Sequence, residues 1–247
     1  MRRALIAVSM LVTLWASITR ADDVVRLAIG DWEPYTSQSN AKGKLLEKVV
    51  TEAFKAEGLS VQYSYFPWKR SYELTASGQY DGTFPWTRTP EREQRFVLNK
   101  LPLMREEGVF FHLKSKAFDW NTLDDLKKYK VGVTIGYLDE GVYRQLGIPA
   151  DPVASEELNF QKMLVGRIDV YQTSKTVGYT LINKMFSHDD AQRFTHHPKP
   201  AQVNDYFVLF SKASPNASRH ADRFDAGLKK IKASGLYDKI MAEGAGS

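Results

Sequence analysis

Two rhythms of apolar residues alternate along this chain. Residues 24–29 (VVRLAI) form a short apolar run that predicts a buried strand. Residues 45–56 (LLEKVVTEAFKA) repeat their apolar positions every three or four residues as a helix does, and residues 61–65 alternate as a strand would. A helix over 69–77 is predicted next, stopped by Gly78, and then a short strand over 81–84. The same order resumes further on, with a helix near 122–129, a strand over 130–133 and helices over 138–145 and 156–165. A strand over 169–172 and a helix over 175–185 complete this second set. Repeated β-α-β order predicts an α/β fold in which helices flank a mostly parallel sheet. Two such units are expected, more than one sheet would conveniently hold.

Two long apolar stretches, 96–113 and 206–210, lack helical period. Within them 108–111 (GVFF) and 206–210 (YFVLF) suit strands that lead out of one lobe and back. The first lobe is then discontinuous, with expected boundaries 22–111 plus 205–247 for lobe 1 and 112–204 for lobe 2. In the tail, Phe224, Leu228 and Ile231 share one helix face, and Leu236 and Ile240 continue it past Gly235. Two lobes joined by paired strands open and close by hinge bending. Loops at the carboxyl ends of their parallel strands face a shared cleft.

Arg2 and Arg3 precede an apolar run from residue 4 to about 18, and small residues follow as far as Ala21. This is the pattern of a secretory signal peptide, residues 1–21, cut before Asp22, and it points to a periplasmic protein. Ser9 and Thr13 interrupt the run, which falls short of the roughly 20 apolar residues of a spanning helix. Cutting there removes three arginines and no acid, so the formal charge of +5 falls to +2. Lys and Arg are scattered among Asp and Glu rather than gathered in a stripe, so nucleic acid is not an expected partner. The chain has no cysteine and hence no disulfide framework, and the remaining 226 residues bury enough surface to fold without one.

Candidate chemistry centres on residues 81–103. Thr89-Pro90-Glu91 reads as a helix start, with Thr as N-cap, Pro at the first helical position and an acid in the first turn. Arg92 sits at that junction, where a guanidinium fork can grip a carboxylate through two hydrogen bonds. No metal is expected: His196 and His197 are adjacent on a strand and point to opposite faces, and neither an HExxH motif nor a cysteine set accompanies them. No nucleophile elbow, P-loop or dinucleotide fingerprint is present, so no cofactor is expected either.

Several segments in order make a resemblance specific. They are IGDWEPY (29–35), FPWKR (66–70), GQYDG (78–82), TPER (89–92), VGV (131–133), GRID (166–169) and the tail FDAGLKKIKASGLYDKIM (224–241). Together the chain resembles the bacterial extracellular solute-binding proteins of family 3, receptors of polar amino-acid ABC transporters, over nearly its whole mature length. The resemblance implies a two-lobed periplasmic binding protein-like fold (type II). It also implies a monomer that closes on a small carboxylate-bearing solute and delivers it to a transporter permease. The family's carboxylate-gripping arginine matches Arg92, with Arg88 as a substitute. Trp32, with Tyr35 beside it, matches the aromatic that covers the ligand, Trp68 the residue packing on the other face, and Trp86 and Thr87 lie in the cleft-lining loop. Gly136-Tyr137 matches the turn that offers backbone N–H groups. One departure stands out: the acid that pairs with an α-ammonium would fall at Ser174, which is neutral. Either Glu33, Asp31 or Asp139 replaces it, or the ligand lacks an amino group. Some relatives are dehydratases of cyclic carboxylates, so an enzyme on the same scaffold is the alternative, although the sequence places no carboxylate pair or histidine for proton transfer.

Overall fold

The computed structural model describes residues 24–243 of the 247, so the expected signal peptide lies outside the described residues. The first group of elements is β1 (Val24–Ile29), α1 (Leu45–Lys55), β2 (Ser60–Tyr65), α2 (Trp68–Ala76), β3 (Gly82–Thr87), α3 (Pro90–Arg95) and β4 (Phe96–Leu98). A ten-residue strand, β5 (Met104–Leu113), leads into the second group: β6 (Val131–Thr134), α4 (Leu138–Leu146), β7 (Ala150–Val153), α5 (Glu156–Leu164), β8 (Val170–Ser174), α6 (Lys175–Met185), α7 (His188–Ala191) and β9 (Phe194–His196). The ten-residue β10 (Gln202–Ser211) returns the chain to the first group, where α8 (Ala217–Ala233) and α9 (Leu236–Ala242) end it.

The strands form one hydrogen-bonded path in the order β2-β1-β3-β10-β5-β8-β6-β7, with β4 on β10 and β9 on β5. Each half has three parallel strands, centred on β1 and on β6. The antiparallel β5 and β10 connect them. Their first halves pair with each other, Gln202 opposite Gly108 through Tyr206 opposite Met104. Beyond that crossing, β10 turns to β3 and β4, while β5 turns to β8 and β9. Two separate sheets were expected from the number of strands. The ten-residue length of β5 and β10 joins them instead, because each strand outruns its partner and has free edge left for its own half.

Helix α1 shows why the N-terminal half closes on the C-terminal tail. Leu45, Leu46, Val49, Val50, Ala53 and Phe54 are all buried on its inner side. Phe54 meets Phe224 of α8 with ring centres 5.3 Å apart. Gly227 of α8 lies so close that a Cβ there would stand 1.8 Å from the Ala53 carbonyl oxygen, so only glycine permits the approach. A hydrophobic core cluster runs through both halves from Val25 to Ile240, and a smaller one around Phe110, Leu126 and Tyr143 belongs to the second half alone.

One predicted element differs in kind, and strand β7 is among those not foreseen. The helix expected near 122–129 is a 3-10 helix over Leu123–Lys128, whose start is tied by Asp125 accepting hydrogen bonds from the Asn121 and Thr122 amides. Strand β7 has the sequence ADPV, which carries no alternation and includes Pro152, yet it pairs in parallel with β6 at the end of the sheet. Proline is tolerated at an edge because the missing N–H would face solvent.

Candidate functional site

A cleft of about 990 Å³ opens between the two halves, lined by residues from the β1, β3 and β6 ends, α2, α3, α4, α5, β8, α6 and the crossing strand β10. Its floor and one wall come from the segment after β1. Thr36 donates to the Gly30 carbonyl at 2.7 Å, and reciprocal backbone bonds join Trp32 to Thr36, so the loop is rigid. A Cβ on Gly30 would meet the Trp68 ring at 2.6 Å; glycine lets that indole lie against the strand end. Trp68 then meets Trp86 edge-on, centres 5.6 Å apart, and Tyr72 flanks Trp86 at 5.3 Å. Such edge contacts are worth about 0.5–1.5 kcal/mol each beyond the area they bury.

Arg92 stands on this aromatic wall. Thr89 caps α3 by accepting from the Arg92 amide at 3.2 Å, with Pro90 in the first turn as the sequence predicts. The guanidinium lies 4.8 Å from the Trp86 ring centre. Its hydrogen bonds among the described residues all leave from Nη1, to the Thr87 carbonyl at 2.7 Å and the Thr87 hydroxyl at 2.6 Å. Burial lowers its pKa, opposed by Tyr72, Glu91 and Tyr206; a guanidinium nonetheless stays cationic in a protein. Thr87 thus fixes one nitrogen of the fork, and the remaining donors are left for a ligand.

The opposite wall is acidic. Glu156, the first residue of α5, is buried and accepts from Tyr137 Oη at 2.7 Å, from Trp32 Nε1 at 3.3 Å across the cleft, and from the Thr173 hydroxyl. Burial raises its pKa against the pull of those donors. Asp139, in the first turn of α4, is pushed up to about 7 by burial, with Glu156 and Glu140 adding repulsion against two backbone N–H contacts. Its Oδ2 is buried and has no hydrogen-bond partner among the described residues. A second bond crosses the cleft from Lys184 of α6 to Glu33, 3.0 Å. Burial alone would raise the Glu33 pKa, but hydrogen bonds from Lys184, Ser37 and Asn40 outweigh it and hold the carboxyl below the usual range.

Of the residues singled out from the sequence, Arg92, Trp32, Trp68, Trp86, Thr87, Gly136, Tyr137 and Ser174 all line this cleft. Tyr35 and Arg88 do not. Tyr35 is buried beneath Trp32, ring centres 5.1 Å apart, with its hydroxyl on Glu106. Arg88 follows Thr87 in an extended segment and so points the other way, over the Phe207 ring and onto the Asn99 carbonyl. The Gly136 and Tyr137 amides expected to face a carboxylate are already used. Gly136 N–H donates to Glu140 at 2.8 Å and Tyr137 N–H to the Thr134 carbonyl at 3.1 Å. Ser174 likewise spends its hydroxyl on Glu106, 2.8 Å away. Glu156 and Tyr206 were not foreseen. An acid in a first helical turn and a tyrosine in an apolar strand carry no signal of their own; only the topology brings them to the cleft.

Among the described residues there is no grouping of His, Asp and Glu able to hold a metal ion, and no helix long and apolar enough to cross a membrane. The sequence model of the bacterial extracellular solute-binding proteins, family 3, matches residues 26–244. The chain belongs to that family. No curated protein matches it significantly. Solved structures similar to it confirm the two-lobed type II fold. A histidine kinase sensor domain with similarity to periplasmic binding proteins is 15% identical with a TM-score of 0.75, covering 90% of this chain and 96% of that one. An amino-acid ABC transporter substrate-binding protein from Streptococcus pneumoniae, bound to L-arginine, is 19% identical with a TM-score of 0.71, covering 90% and 94%. An ancestral amino acid-binding protein described as a precursor of cyclohexadienyl dehydratase is 18% identical with a TM-score of 0.70, covering 89% and 94%. A member of family 3 has a solute-binding role.

Proposed function

We propose that this family 3 protein is an exported, periplasmic, monomeric receptor that closes on a small carboxylate-bearing solute, an amino acid or a related compound, and delivers it to the permease of an ABC transporter. The observation that carries this reading is Arg92, held on Trp86 and, among the described residues, pinned to Thr87 through one nitrogen. A carboxylate that docks on the free edge gains charge-assisted hydrogen bonds between aromatic walls that exclude water. Closure then follows from differential affinity: a ligand touching both halves adds its contacts to the cross-cleft bonds Trp32 to Glu156 and Lys184 to Glu33 only when the halves meet. The lobes would divide at 22–111 plus 205–247 and 112–204, with β5 and β10 as the hinge.

The test is a thermal-shift screen of amino acids, amines and small carboxylates, since a ligand bound only by the native state raises the melting temperature. Stabilisation by carboxylates that vanishes in Arg92→Ala supports the reading; carboxylates without effect on the wild type refute it.

A second reading, an enzyme acting on small cyclic carboxylates such as a dehydratase, draws support from Asp139. A cleft carboxyl with a pKa of about 7 is half protonated at neutral pH and suits a general acid. Incubating the protein with cyclic hydroxycarboxylates and following the products by NMR separates the two: turnover favours the enzyme, binding without turnover the receptor.

A further inference from the structure

We propose that Glu106 is a positioning residue: from the strands where the two halves cross, its carboxylate ties the loop that carries Trp32 to the start of α6, and so sets the spacing of the cleft's two walls at their base. The inference goes beyond the receptor reading and holds whatever the solute is.

Glu106 lies in the first half of β5, opposite Asn204 of β10, and so belongs to the pair of strands that joins the halves. It is half-buried, and its two oxygens serve different halves. Oε2 accepts from the hydroxyl of Tyr35, in the loop after β1. Oε1 accepts from the Ser174 hydroxyl at 2.8 Å and from the Thr176 amide at 3.1 Å, at the start of α6. Ser174 also caps that helix, its Oγ accepting from the Val177 amide at 3.3 Å. Two of the amides that a helix leaves unpaired at its N-terminus are thereby satisfied, and a carboxylate stands at the positive end of an eleven-residue helix. Hydrogen bonds to a carboxylate are roughly twice as strong as those between neutral groups, so three on one side chain make a stiff joint.

Both ends of this clasp carry residues of the cleft. Tyr35 supports the Trp32 ring, centres 5.1 Å apart, and Tyr206 of β10 meets the same ring at 5.3 Å. Val177, Leu181 and Lys184 of α6 line the cleft from the other half. Burial and the neighbouring Glu106 charge raise the Tyr35 pKa, so its hydroxyl keeps the proton and is the donor. Glu107, the next residue, points to the other face of the strand and stands 3.9 Å from Lys175. The clasp also accounts for the neutral residue at 174: a carboxylate there would stand within hydrogen-bond range of Glu106, and like charges at that range repel.

Pulsed EPR on the mature chain, refolded from urea to remove any co-purified solute, tests this. The chain has no cysteine, so Gln62→Cys on β2 and Gln145→Cys on α4, both exposed and one in each half, take nitroxide labels without further change. With Glu106 intact a narrow distribution of distances is expected. Tyr35→Phe cuts only the tie to the first half, and Glu106→Ala cuts both ties. Each should widen the distribution and displace it to longer distance, as should Ser174→Asp. Glu106→Gln keeps an oxygen for α6 and an amide that can donate to Tyr35, so it should restore the wild-type distribution. Urea unfolding shows whether each variant is folded; if Glu106→Ala is not, Tyr35→Phe decides. A wild-type distribution in folded Glu106→Ala or in Tyr35→Phe, or a glutamine variant as broad as the alanine one, overturns the assignment. No solute enters the measurement, so that result leaves the Arg92 reading standing, and a solute panel that fails to bind leaves Glu106 in its role.

Discussion

Replacing Asp139 with asparagine changes the pH dependence of stability in a way that can be worked from its surroundings. The carboxyl titrates at about 7 in the fold, against the ordinary aspartate value of 3.8 that serves for the unfolded chain. Between those values the native state retains a proton that the unfolded state has lost. The stability this group contributes is therefore fully present below about 4, falls as pH rises through this window and is fully lost above about 7. Three units at about 1.4 kcal/mol each set a ceiling of about 4 kcal/mol. Asp139 is only partly buried at the cleft surface, and local relaxation and partial solvation cut the effect to the order of 2 kcal/mol. The asparagine side chain keeps the shape and does not titrate. The two proteins should then be nearly equal in urea denaturation at pH 4.5, and the variant should be about 2 kcal/mol more stable at pH 7.5. Glu156, also raised by burial, repels Asp139, so its titration is coupled to that of Asp139; removing the Asp139 charge eases its ionisation and acts in the same direction, favouring the variant at pH 7.5. A gap of the same size at both pH values would refute the reasoning.

Two further outcomes test the packing and the placement of side chains. Gly227→Ala puts a methyl group 1.8 Å from the Ala53 carbonyl oxygen, so α1 and α8 must separate; a loss of about 2–3 kcal/mol in urea unfolding is expected, and a neutral result would show that the helices do not meet as described. Arg88→Ala removes a guanidinium that turns away from the cleft toward Phe207 and Asn99; ligand affinity should be unchanged in titration calorimetry, with a tenfold loss counting against that orientation.

Much of the fold was legible because the apolar rhythm is strong wherever a whole face is buried. Strand β1 and helix α6 fall at the predicted residues, and α1 ends within one residue of its prediction. The N-cap at Thr89 was equally plain, since Thr-Pro-Glu has one good local use. Strand β7 was hidden for the opposite reason: an edge strand with its polar side in water needs no alternation. The join of the two sheets depends on how far β5 and β10 overlap, a pairing between residues about a hundred positions apart that no local pattern encodes.

The site divides along the same line. Trp32, Trp68, Trp86 and Arg92 were placed by the resemblance to family 3 rather than by any local pattern, and all four line the cleft. Competition for hydrogen bonds was not legible. The Gly136 amide is taken by Glu140 four residues on, and Ser174 by Glu106 from a distant strand.

The proposed role of Arg92 as the carboxylate clamp is tested most directly by calorimetric titration of wild type and Arg92→Ala with the most stabilising amino acid. Loss of charge-assisted hydrogen bonds in a water-excluding cleft should weaken binding at least about 100-fold. The melting temperature of the ligand-free variant should stay close to that of the wild type, since among the described residues the Arg92 guanidinium bonds only to Thr87 and covers one ring. Equal affinity in the two proteins would contradict the account.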